Sequence, residues 1–305
     1  MILPKAALVI PTYNAGKLGE KCFAKIQRQG VQPDVLVIDS NSADNTVELA
    51  TKCGFATHRI SQTDFNHGGT RNLAVSLFIQ DYDIVIFMTQ DAILVTDNAI
   101  ENLLKAFDNP KVAAVYGRQL PHDNANPLAA HARLFNYPEQ SVEKSQEDIP
   151  HLGIKTAFIS NSFAAYRLSV FNELGGFPDN TILAEDMYLA AKMILAGYNV
   201  VYCAEATVQH SHNYTLLQEF QRYFDIGVFQ KNESWIQKKF GTASSEGKKF
   251  VLSEIRYLWN NAPWLLPKAA LATLMKWLGF KLGFAWQKLP LACCKQLSMY
   301  KTFWK

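Results

Sequence analysis

The sequence predicts an α/β fold, with a sheet between two layers of helices, followed by a helical C-terminal region. Over the first 117 residues, short apolar segments of β type alternate with amphipathic helical patterns. Such alternation is typical of βαβ units, which build a parallel sheet covered on both faces. Polar residues cluster where the predicted strands end, and the pattern is helical from Tyr214 to the C terminus.

The period of the apolar residues positions each element of this sheet. The predicted strands are 6–10, 34–39, 56–60, 83–88 and 112–117. The predicted helices lie near 16–29, near 44–53, from near Thr70 onward, and near 97–107. Residues 118–155 interrupt this rhythm with Pro, Asn, His and acidic residues, which predicts a long loop or mobile segment over the rim of the sheet.

The following part of the chain predicts further strands and helices. A β-type segment at 156–167 precedes a short helix, and AEDMYLAAKMILAGY predicts a helix that stops at Gly197. NVVYCA at 199–204 predicts another strand. We therefore predict an α/β domain at 1–213 and a helical C-terminal region at 214–305.

Length and composition indicate a globular protein with a buried core. The chain has 305 residues, of which 49% are apolar and 19% are charged. Its five cysteines lack the spacing of metal ligands, which predicts free thiols in a reducing cytosol. The N terminus lacks the pattern of a signal peptide. The sequence contains no run of 18 uncharged apolar residues, so we predict no transmembrane helix.

Polar clusters follow four of the predicted strands. They are PTYN after the first strand, Asp39 at the end of the second, the segment 64–72 after the third, and TQDA at 89–92 after the fourth. In open α/β sheets, ligands bind beyond the carboxyl ends of the strands. The four clusters therefore predict one ligand site on one rim of the sheet.

The segment DFNHGGTRN indicates an anion site where a strand leads into a helix. Gly68 and Gly69 allow a ligand to approach the backbone closely. The start of a helix offers free N–H groups and the positive end of the helix dipole. Arg71 adds a planar, permanently charged group that suits phosphate or carboxylate.

Three further motifs carry candidate chemistry, and each has an ordinary structural alternative. Asp91 could bind a hard divalent cation, or it could cap a helix. Asp186, next to Glu185 in a first helical turn, could accept a proton from a hydroxyl, although acidic residues are common there. His210 and His212 lie on one side of an extended segment and could bind a metal, although surface histidines usually do not.

Taken together, the motifs resemble a known enzyme family. The order VIPTYN, VIDSNSADNT, DFNHGGTRN, FMTQDA, GGF, EDMYLA and VQHSHN, over residues 5 to 215, resembles the inverting GT-A glycosyltransferases of family 2. DFNHGGTRN with TQDA is most similar to the bacterial rhamnosyltransferases of O-antigen and capsule synthesis. The resemblance therefore implies a GT-A fold, a Rossmann-like mixed sheet that binds a nucleotide-diphospho-sugar.

The resemblance also implies roles for individual residues. Asp186 would be the catalytic base, while Asp91 and His210 would hold Mg²⁺ or Mn²⁺. Thr89-Gln90-Asp91 replaces the family's usual Asp-x-Asp, so a single carboxylate predicts weak metal binding. Asp39 would bond the base, and Arg71 with Asn72 would hold the diphosphate and the sugar. The donor-binding residues implied are Pro11, Tyr13, Asn14, Asp39, His67, Arg71, Asn72 and Gln90.

The C-terminal region has its own charge and aromatic content. Residues 251–305 carry eight Lys or Arg and one acidic residue, a net +7, so residues 1–250 sum to −4. All six tryptophans lie at or after Trp235, and Lys281, Lys288 and Lys295 repeat every seven residues, which predicts one basic helical face. We favour attachment to an anionic membrane surface over packing alone, and no motif indicates nucleic-acid binding.

The sequence therefore predicts a metal-assisted sugar transferase on the cytoplasmic face of the cell membrane. The donor favoured by the resemblance is dTDP-L-rhamnose, and the acceptor is a hydroxyl of a lipid-linked or polysaccharide glycan. UDP-galactofuranose and UDP-glucose remain alternative donors. A non-catalytic scaffold that binds a membrane partner is a second alternative, and nucleotidyl transfer is a third, although PTYNAGK lacks the glycine- and lysine-rich loop it would need.

Overall fold

The structure, a computed structural model, describes residues 3–78, 81–241 and 244–304. Within these ranges nine strands form one mixed sheet. The strands are β1 (Ala6–Thr12), β2 (Asp34–Asp39), β3 (Ala56–Arg59), β4 (Ile84–Met88), β5 (Ile93–Leu94), β6 (Val112–Leu120), β7 (Val142–Lys144), β8 (Phe163–Arg167) and β9 (Asn199–Gln209).

Helices cover both faces of the sheet and make up most of the C-terminal region. They are α1 (Gly16–Gln27), α2 (Thr46–Lys52), α3 (His67–Phe78), α4 (Ala99–Lys105), α5 (Pro127–Asn136), α6 (Ile149–Leu152), α7 (Leu168–Glu173), α8 (Glu185–Leu195), α9 (Leu216–Asn232), α10 (Ser234–Phe240), α11 (Ser244–Asn261), α12 (Leu266–Phe284) and α13 (Leu291–Leu297). Short 3₁₀ turns connect several of them.

The sheet is mixed rather than parallel throughout. Its strand order is β3-β2-β1-β4-β8-β6-β9-β5, and β7 also pairs with β9. The pairs among β1, β2, β3 and β4 are parallel, as predicted, and so is β6 with β9. β8 runs antiparallel between β4 and β6. This strand comes from the segment 156–167, and its late insertion keeps β6 from pairing with β4.

The segment 118–155 differs most from its prediction as a long loop. It contains α5, β7 and α6. The side chain of Asn126 accepts a hydrogen bond from the N–H of Ala129, and Pro127 occupies the first turn of α5. Asn and Pro are typical of turns but also of helix starts, so composition alone could not distinguish the two.

Element boundaries differ from the predictions by a few residues. α3 begins at His67 rather than near Thr70, because the side chain of Asn66 accepts a hydrogen bond from the N–H of Gly69. β8 is confined to Phe163–Arg167, and β9 runs on to Gln209, past the predicted end at 204.

The core has one layer on each face of the sheet. Along β1, Leu8 and Ile10 point into the layer covered by α1 and α4, while Val9 points into the other. That second layer includes Leu189 of α8 and Phe224 of α9. This face of the sheet is therefore covered by α8, which begins with Glu185 and Asp186, and by the first helix of the C-terminal region.

The helices of the C-terminal region pack tightly on one another and share a core layer with the α/β domain. α9 and α12 touch backbone to backbone, since a Cβ on Gly279 would collide with the carbonyl of Phe220 and one on Gly283 with that of Phe224. Trp304 is 4% exposed and belongs to the same core layer as Phe224. The predicted regions 1–213 and 214–305 therefore share one apolar layer.

Another part of the same region leaves many apolar side chains in solvent. They lie on α11, on α12 and in the 3₁₀ turn between these helices, and we call this set of residues the aromatic face. It comprises Leu252, Ile255, Trp259, Trp264, Leu271, Leu274, Trp277, Leu278, Leu282 and Phe284. Trp264 is 74% exposed and Trp259 is 69% exposed. In the part of the chain that the structure describes, no helix is both long enough and apolar enough to cross a bilayer.

The predicted basic helical face is wrong, because the lysines do not share a helix. Lys281 lies in α12, Lys288 in a 3₁₀ turn, and Lys295 in α13. α12 ends at Phe284, and Pro290 precedes α13. All three lysines remain exposed around these helices. Lys305, also counted in the basic charge of the tail, lies outside the described residues.

Candidate active site

The ends of β1 and β2 form one side of the predicted rim. Asp39 is fully buried, and its carboxylate oxygens accept hydrogen bonds from Thr12 Oγ1 at 3.0 Å and from the backbone N–H of Ser42 at 2.8 Å. Its contacts therefore connect the end of β1 to the turn after β2. The role expected for Asp39, bonding a nucleotide base, stays a prediction.

Residues after β1 and after β4 are joined by a reciprocal pair of hydrogen bonds. The N–H of Tyr13 donates to Gln90 Oε1 at 2.8 Å, and Gln90 Nε2 donates to the carbonyl of Tyr13 at 3.1 Å. Asn14 has a left-handed backbone with φ of 46°, and its side chain accepts from the N–H of Ala43. Tyr13 is 43% exposed, and Pro11, in β1, is partly buried. The predicted pocket residues thus stand together, with the Tyr13 ring facing solvent.

A carboxylate and two imidazoles meet after β4 and β9. His210 Nε2 lies 3.5 Å from Asp91 Oδ2, and His212 Nε2 lies 3.8 Å from the same oxygen. One ligand atom from each of the three residues falls within 4.8 Å of the others. The sequence paired Asp91 with His210 and ranked His212 below it, whereas the structure brings both histidines to the carboxylate.

The surroundings of this cluster suit a divalent cation. His210 Nδ1 is 2.9 Å from Gln119 Oε1, an acceptor, so this nitrogen carries a proton, and Nε2 faces Asp91. Burial, followed by the charge of His210, lowers the pKa of His212 to about 4, so its ring is neutral at neutral pH. Burial opposes ionisation of Asp91, but its hydrogen bond with His210 holds the pKa of the carboxyl well below its usual range. One carboxylate and two imidazoles fit Mn²⁺ or a similar ion.

Asp186 lies at the start of α8 and is held by backbone groups. Its Oδ2 accepts from the N–H of Asn161 at 3.0 Å, and its Oδ1 accepts from the N–H of Met187 at 2.8 Å. Burial raises the pKa of this carboxyl to about 7, and the negative charge of Glu185 adds to the effect. A carboxylate with a pKa near neutrality can accept a proton from a hydroxyl and release it again.

The residues of the GGTRN segment have partners inside the protein. Arg71 is 3% exposed, and its NH1 lies 3.2 Å from Glu185 Oε1 and 2.8 Å from the carbonyl of His67. Asn72 exchanges hydrogen bonds with the backbone of Phe177. The expected contacts of Arg71 and Asn72 with a diphosphate and a sugar stay predictions, because both side chains are engaged with protein groups here.

His67 faces the C-terminal segment instead of the rim. Its ring makes an edge contact with Tyr300, with ring centroids 4.7 Å apart, and its Nε2 is buried with no hydrogen-bond partner in the described part of the chain. His67 was expected to contact the donor, and that also stays a prediction.

Hydrogen bonds, with one peptide bond between Ser160 and Asn161, connect the Asp91–His210–His212 cluster to the candidate base. Gln119 Oε1 meets His210, and Gln119 Nε2 donates to Ser160 Oγ at 2.8 Å. The next residue, Asn161, donates its N–H to Asp186. Gln119 and Asn161 were not predicted from the sequence, because an amide in a strand or loop carries no periodic signal and its partners are distant in the chain.

Comparisons with known proteins bear on this site. A model of the family described as "Glycosyl transferase family 2" matches residues 7–175. The chain is 58% identical to the O-antigen chain rhamnosyltransferase RfbN of Salmonella typhimurium, over 98% of this chain and 96% of that protein. It is 55% identical to the O-antigen chain rhamnosyltransferase WbaN of Salmonella anatum, over 99% and 96%.

Solved structures with a similar fold share much less sequence. A mannosyltransferase of Pyrobaculum calidifontis, in complex with GDP-Man and Mn²⁺, has a TM-score of 0.59 at 21% identity, covering 99% of this chain and 83% of that one. TarS residues 1–349 of S. aureus has a TM-score of 0.56 at 14% identity, covering 97% and 83%. At these identities the similarity shows the fold, and it agrees with the mixed sheet described above.

Proposed function

We propose a donor, an acceptor and a mechanism for this chain, which belongs to glycosyl transferase family 2 and is an inverting glycosyltransferase with a GT-A fold. It moves L-rhamnose from dTDP-L-rhamnose to a hydroxyl of a lipid-linked glycan during O-antigen synthesis. The observation that supports this most is 58% identity, over nearly the full length of both chains, to a relative named an O-antigen chain rhamnosyltransferase. The alternative of a non-catalytic scaffold is disfavoured by family membership and by the intact carboxylates and histidines of the site.

Asp186 acts as the catalytic base. The acceptor hydroxyl attacks the anomeric carbon from the face opposite the diphosphate, and Asp186 accepts the proton of that hydroxyl. The backbone N–H groups of Asn161 and Met187 hold its two oxygens in place, so the carboxylate is oriented before the acceptor arrives. A pKa of about 7 leaves much of it ionised at neutral pH.

The donor lies across the rim from β1 to β4. Tyr13 offers an exposed ring for stacking on the base, and its backbone is fixed by Gln90. Pro11, Asn14 and Asp39 shape the turns on which this ring sits. This donor pocket is assigned from the family resemblance and from the grouping of these residues.

Asp91, His210 and His212 would hold the divalent ion, which we propose to be Mg²⁺ or Mn²⁺. Such an ion would supply positive charge that offsets the charge of the leaving diphosphate. Gln119 orients His210, and the tilted stack of Tyr214 on His212, at 5.1 Å, limits the movement of the second ring. The protein thus supplies ligands whose orientation is fixed.

Nucleotide-sugar binding tests the donor assignment directly. A ligand that binds only the folded state at 100 times its Kd stabilises the protein by about 2.7 kcal/mol. We expect dTDP-L-rhamnose with Mn²⁺ to raise the melting temperature more than UDP-galactofuranose or UDP-glucose does, and the increase to shrink when Asp91→Asn is used. A larger shift with either UDP-sugar would replace the proposed donor.

We also propose that the enzyme attaches to the cytoplasmic face of the membrane through the aromatic face. Its exposed tryptophans and leucines suit the acyl boundary, and exposed lysines around it, such as Lys268 and Lys281, suit anionic headgroups. A patch of this extent is uncommon on a monomeric soluble protein. A lipid-linked acceptor would be met at the same surface.

Vesicle flotation tests this attachment. Trp259→Glu with Leu252→Glu places two charges on the aromatic face and should abolish co-flotation with anionic vesicles at low salt. The matched control is Leu18→Glu, an exposed leucine on α1 (43% exposed), which should float like the wild type. Wild-type protein that stays at the bottom of the gradient would defeat the proposal.

A further inference from the structure

The two carboxylates at the start of α8 are adjacent in the chain but have unequal partners. Glu185 Oε1 meets a permanent positive charge, Arg71 NH1 at 3.2 Å, and the amide of Asn161 at 2.9 Å. Asp186 meets backbone N–H groups. Because only Glu185 has a cationic partner within ion-pair distance among the described residues, the first proton taken up by this pair goes to Asp186.

Asn161 fixes the separation of the two carboxylates. Its backbone N–H donates to Asp186, its side-chain Nδ2 donates to Glu185, and its Oδ1 accepts from Tyr166 O–H at 2.7 Å. Tyr166 is fully buried in β8, at the centre of the sheet. The tyrosine therefore sets which end of the amide faces Glu185.

Arg71 is equally constrained. It is 3% exposed, its NH1 also donates to the carbonyl of His67, and its guanidinium lies 5.9 Å from the ring centre of Phe87. A cation so enclosed acts on its neighbours at low dielectric, where charges interact more strongly than in water. Although burial opposes ionisation, Arg71 and then His67 hold the pKa of Glu185 below its ordinary value.

We propose that Glu185 is a positioning residue for the transfer reaction: a fixed negative charge, held by Arg71 and Asn161, that makes the neighbouring Asp186 a better proton acceptor. The inference rests on the proposed role of Asp186 as the base. The proposal also gives Arg71 a function that is compatible with its burial, because Arg71 keeps Glu185 charged without contacting the donor. Pairs of acids whose surroundings push their proton affinities apart are a recurrent device of active sites.

Several other groups act on the same carboxylate. Besides Glu185 on α8, those acting on Asp186 are Arg71 on α3, Tyr137 after α5 and Tyr166 on β8. His67 on α3 acts on Glu185. Tyr300 of the C-terminal segment acts on Glu185. Glu185 ranks first among the charged neighbours of Asp186, and Arg71 opposes it. The tyrosines are protonated at neutral pH and carry no charge there.

The pH dependence of turnover tests the proposal. Glu185→Gln keeps the size of the side chain and an oxygen that can accept from Asn161, but removes the charge. With saturating Mn²⁺, donor and acceptor, the acidic limb of the kcat profile should move to lower pH by roughly one unit. Each variant is expressed as a ratio to the wild type at every pH, which cancels titration of the metal ligands.

A double variant separates charge from structural damage. Arg71→Gln with Glu185→Gln removes two charges that act on Asp186 in opposite directions, so its acidic limb should fall between those of the single variant and the wild type. If Glu185→Gln does not fold, the double variant alone tests the proposal. An acidic limb at lower pH than that of the wild type supports the proposal, and an acidic limb at the same pH overturns it. Superimposable profiles, or a larger shift in the double variant than in the single one, overturn it as well.

Asp186→Asn distinguishes this inference from the proposed function. If Asp186→Asn turns over normally, Asp186 is not the base, and both proposals fail. If Asp186→Asn is inactive while Glu185→Gln leaves the profile in place, only the role of Glu185 fails.

Discussion

Replacing Asp186 by asparagine should stop sugar transfer and give the protein a gain in stability, relative to the wild type, as the pH rises. Transfer stops because an amide cannot accept the proton of the acceptor hydroxyl. Donor binding should persist, because the donor pocket is built after β1 and β4 rather than at the start of α8. The stability gain follows from the cost of keeping a charged carboxylate in this position.

The magnitude follows from the two proton affinities. The pKa of Asp186 is about 7 in the folded protein and about 3.9 in the unfolded chain. The folded state therefore binds more protons between these values, and stability falls as pH rises through that window. From about pH 5.5 to about pH 8 the loss reaches about 2 kcal/mol. Asp186 is only partly buried, and screening reduces the expected loss to about 1–2 kcal/mol.

Asparagine removes this pH-dependent loss but introduces a constant cost. One carbonyl oxygen can accept only part of what the two carboxylate oxygens accept, so either the Asn161 or the Met187 N–H loses its partner, at about 1–3 kcal/mol. The informative quantity is therefore the difference between the variant's effect at the two pH values, from which the constant cost cancels.

Denaturant unfolding at both pH values measures this difference. Relative to the wild type, Asp186→Asn should gain about 1–2 kcal/mol on going from about pH 5.5 to about pH 8. Asp44→Asn is the matched control: burial opposes ionisation of Asp44, but hydrogen bonds from Thr46 and Gly16 lower its pKa, so this variant should show no such gain. A pH-independent effect of Asp186→Asn, or retained turnover, would refute the reasoning.

Four other predictions concern the candidate metal ligands and the packing. Alanine at His212 should weaken Mn²⁺-dependent donor affinity about as much as alanine at His210, by roughly 100-fold in a titration, because both imidazoles reach the same carboxylate; loss at only one position would identify a single ligand. Gly283→Ala should destabilise the protein by about 1–3 kcal/mol in denaturant unfolding, because α9 leaves no room for a Cβ. Gly247→Ala, in open space on α11, should instead stabilise it by about 0.5–1 kcal/mol. A chain that ends at Ser298 loses the buried Trp304 and should aggregate or melt early by scanning calorimetry; normal melting would show that the end of the chain is dispensable.

The sequence predicted the first part of the sheet well because each strand there is a local pattern. β2 matches its prediction, and β1, β3 and β4 differ by two residues or fewer at either end. The position of β8 could not be predicted, because strand order depends on pairing between residues far apart in the chain. The prediction for 118–155 failed because Asn126 and Pro127 are equally suited to a turn and to the start of α5.

The arrangement of the candidate site residues was predictable where both partners were proposed from the motifs, and unpredictable where a motif residue contacts another protein group instead of a ligand. Asp91 and His210 meet as the family resemblance implied, and Asp186 has the surroundings of a base. The sequence pattern predicted that Arg71 binds an anionic ligand, but its guanidinium lies against Glu185. A charged group beside two glycines has the same signature whether its partner is a ligand or a distant carboxylate.

The backbone contact between α9 and α12 has a consequence for acceptor choice. α9 begins shortly after His212, and α12 carries much of the aromatic face, so one rigid pair of helices joins the transfer site to the proposed lipid surface. At Gly279 and Gly283 the two helices are in backbone contact. No layer of side chains lies between them there that could repack and let the helices slide. An attached enzyme would therefore hold its base at a constant height above the bilayer. The helix pair would then fix the distance between the base and the bilayer, and the enzyme would select glycans whose terminal hydroxyl lies at that distance.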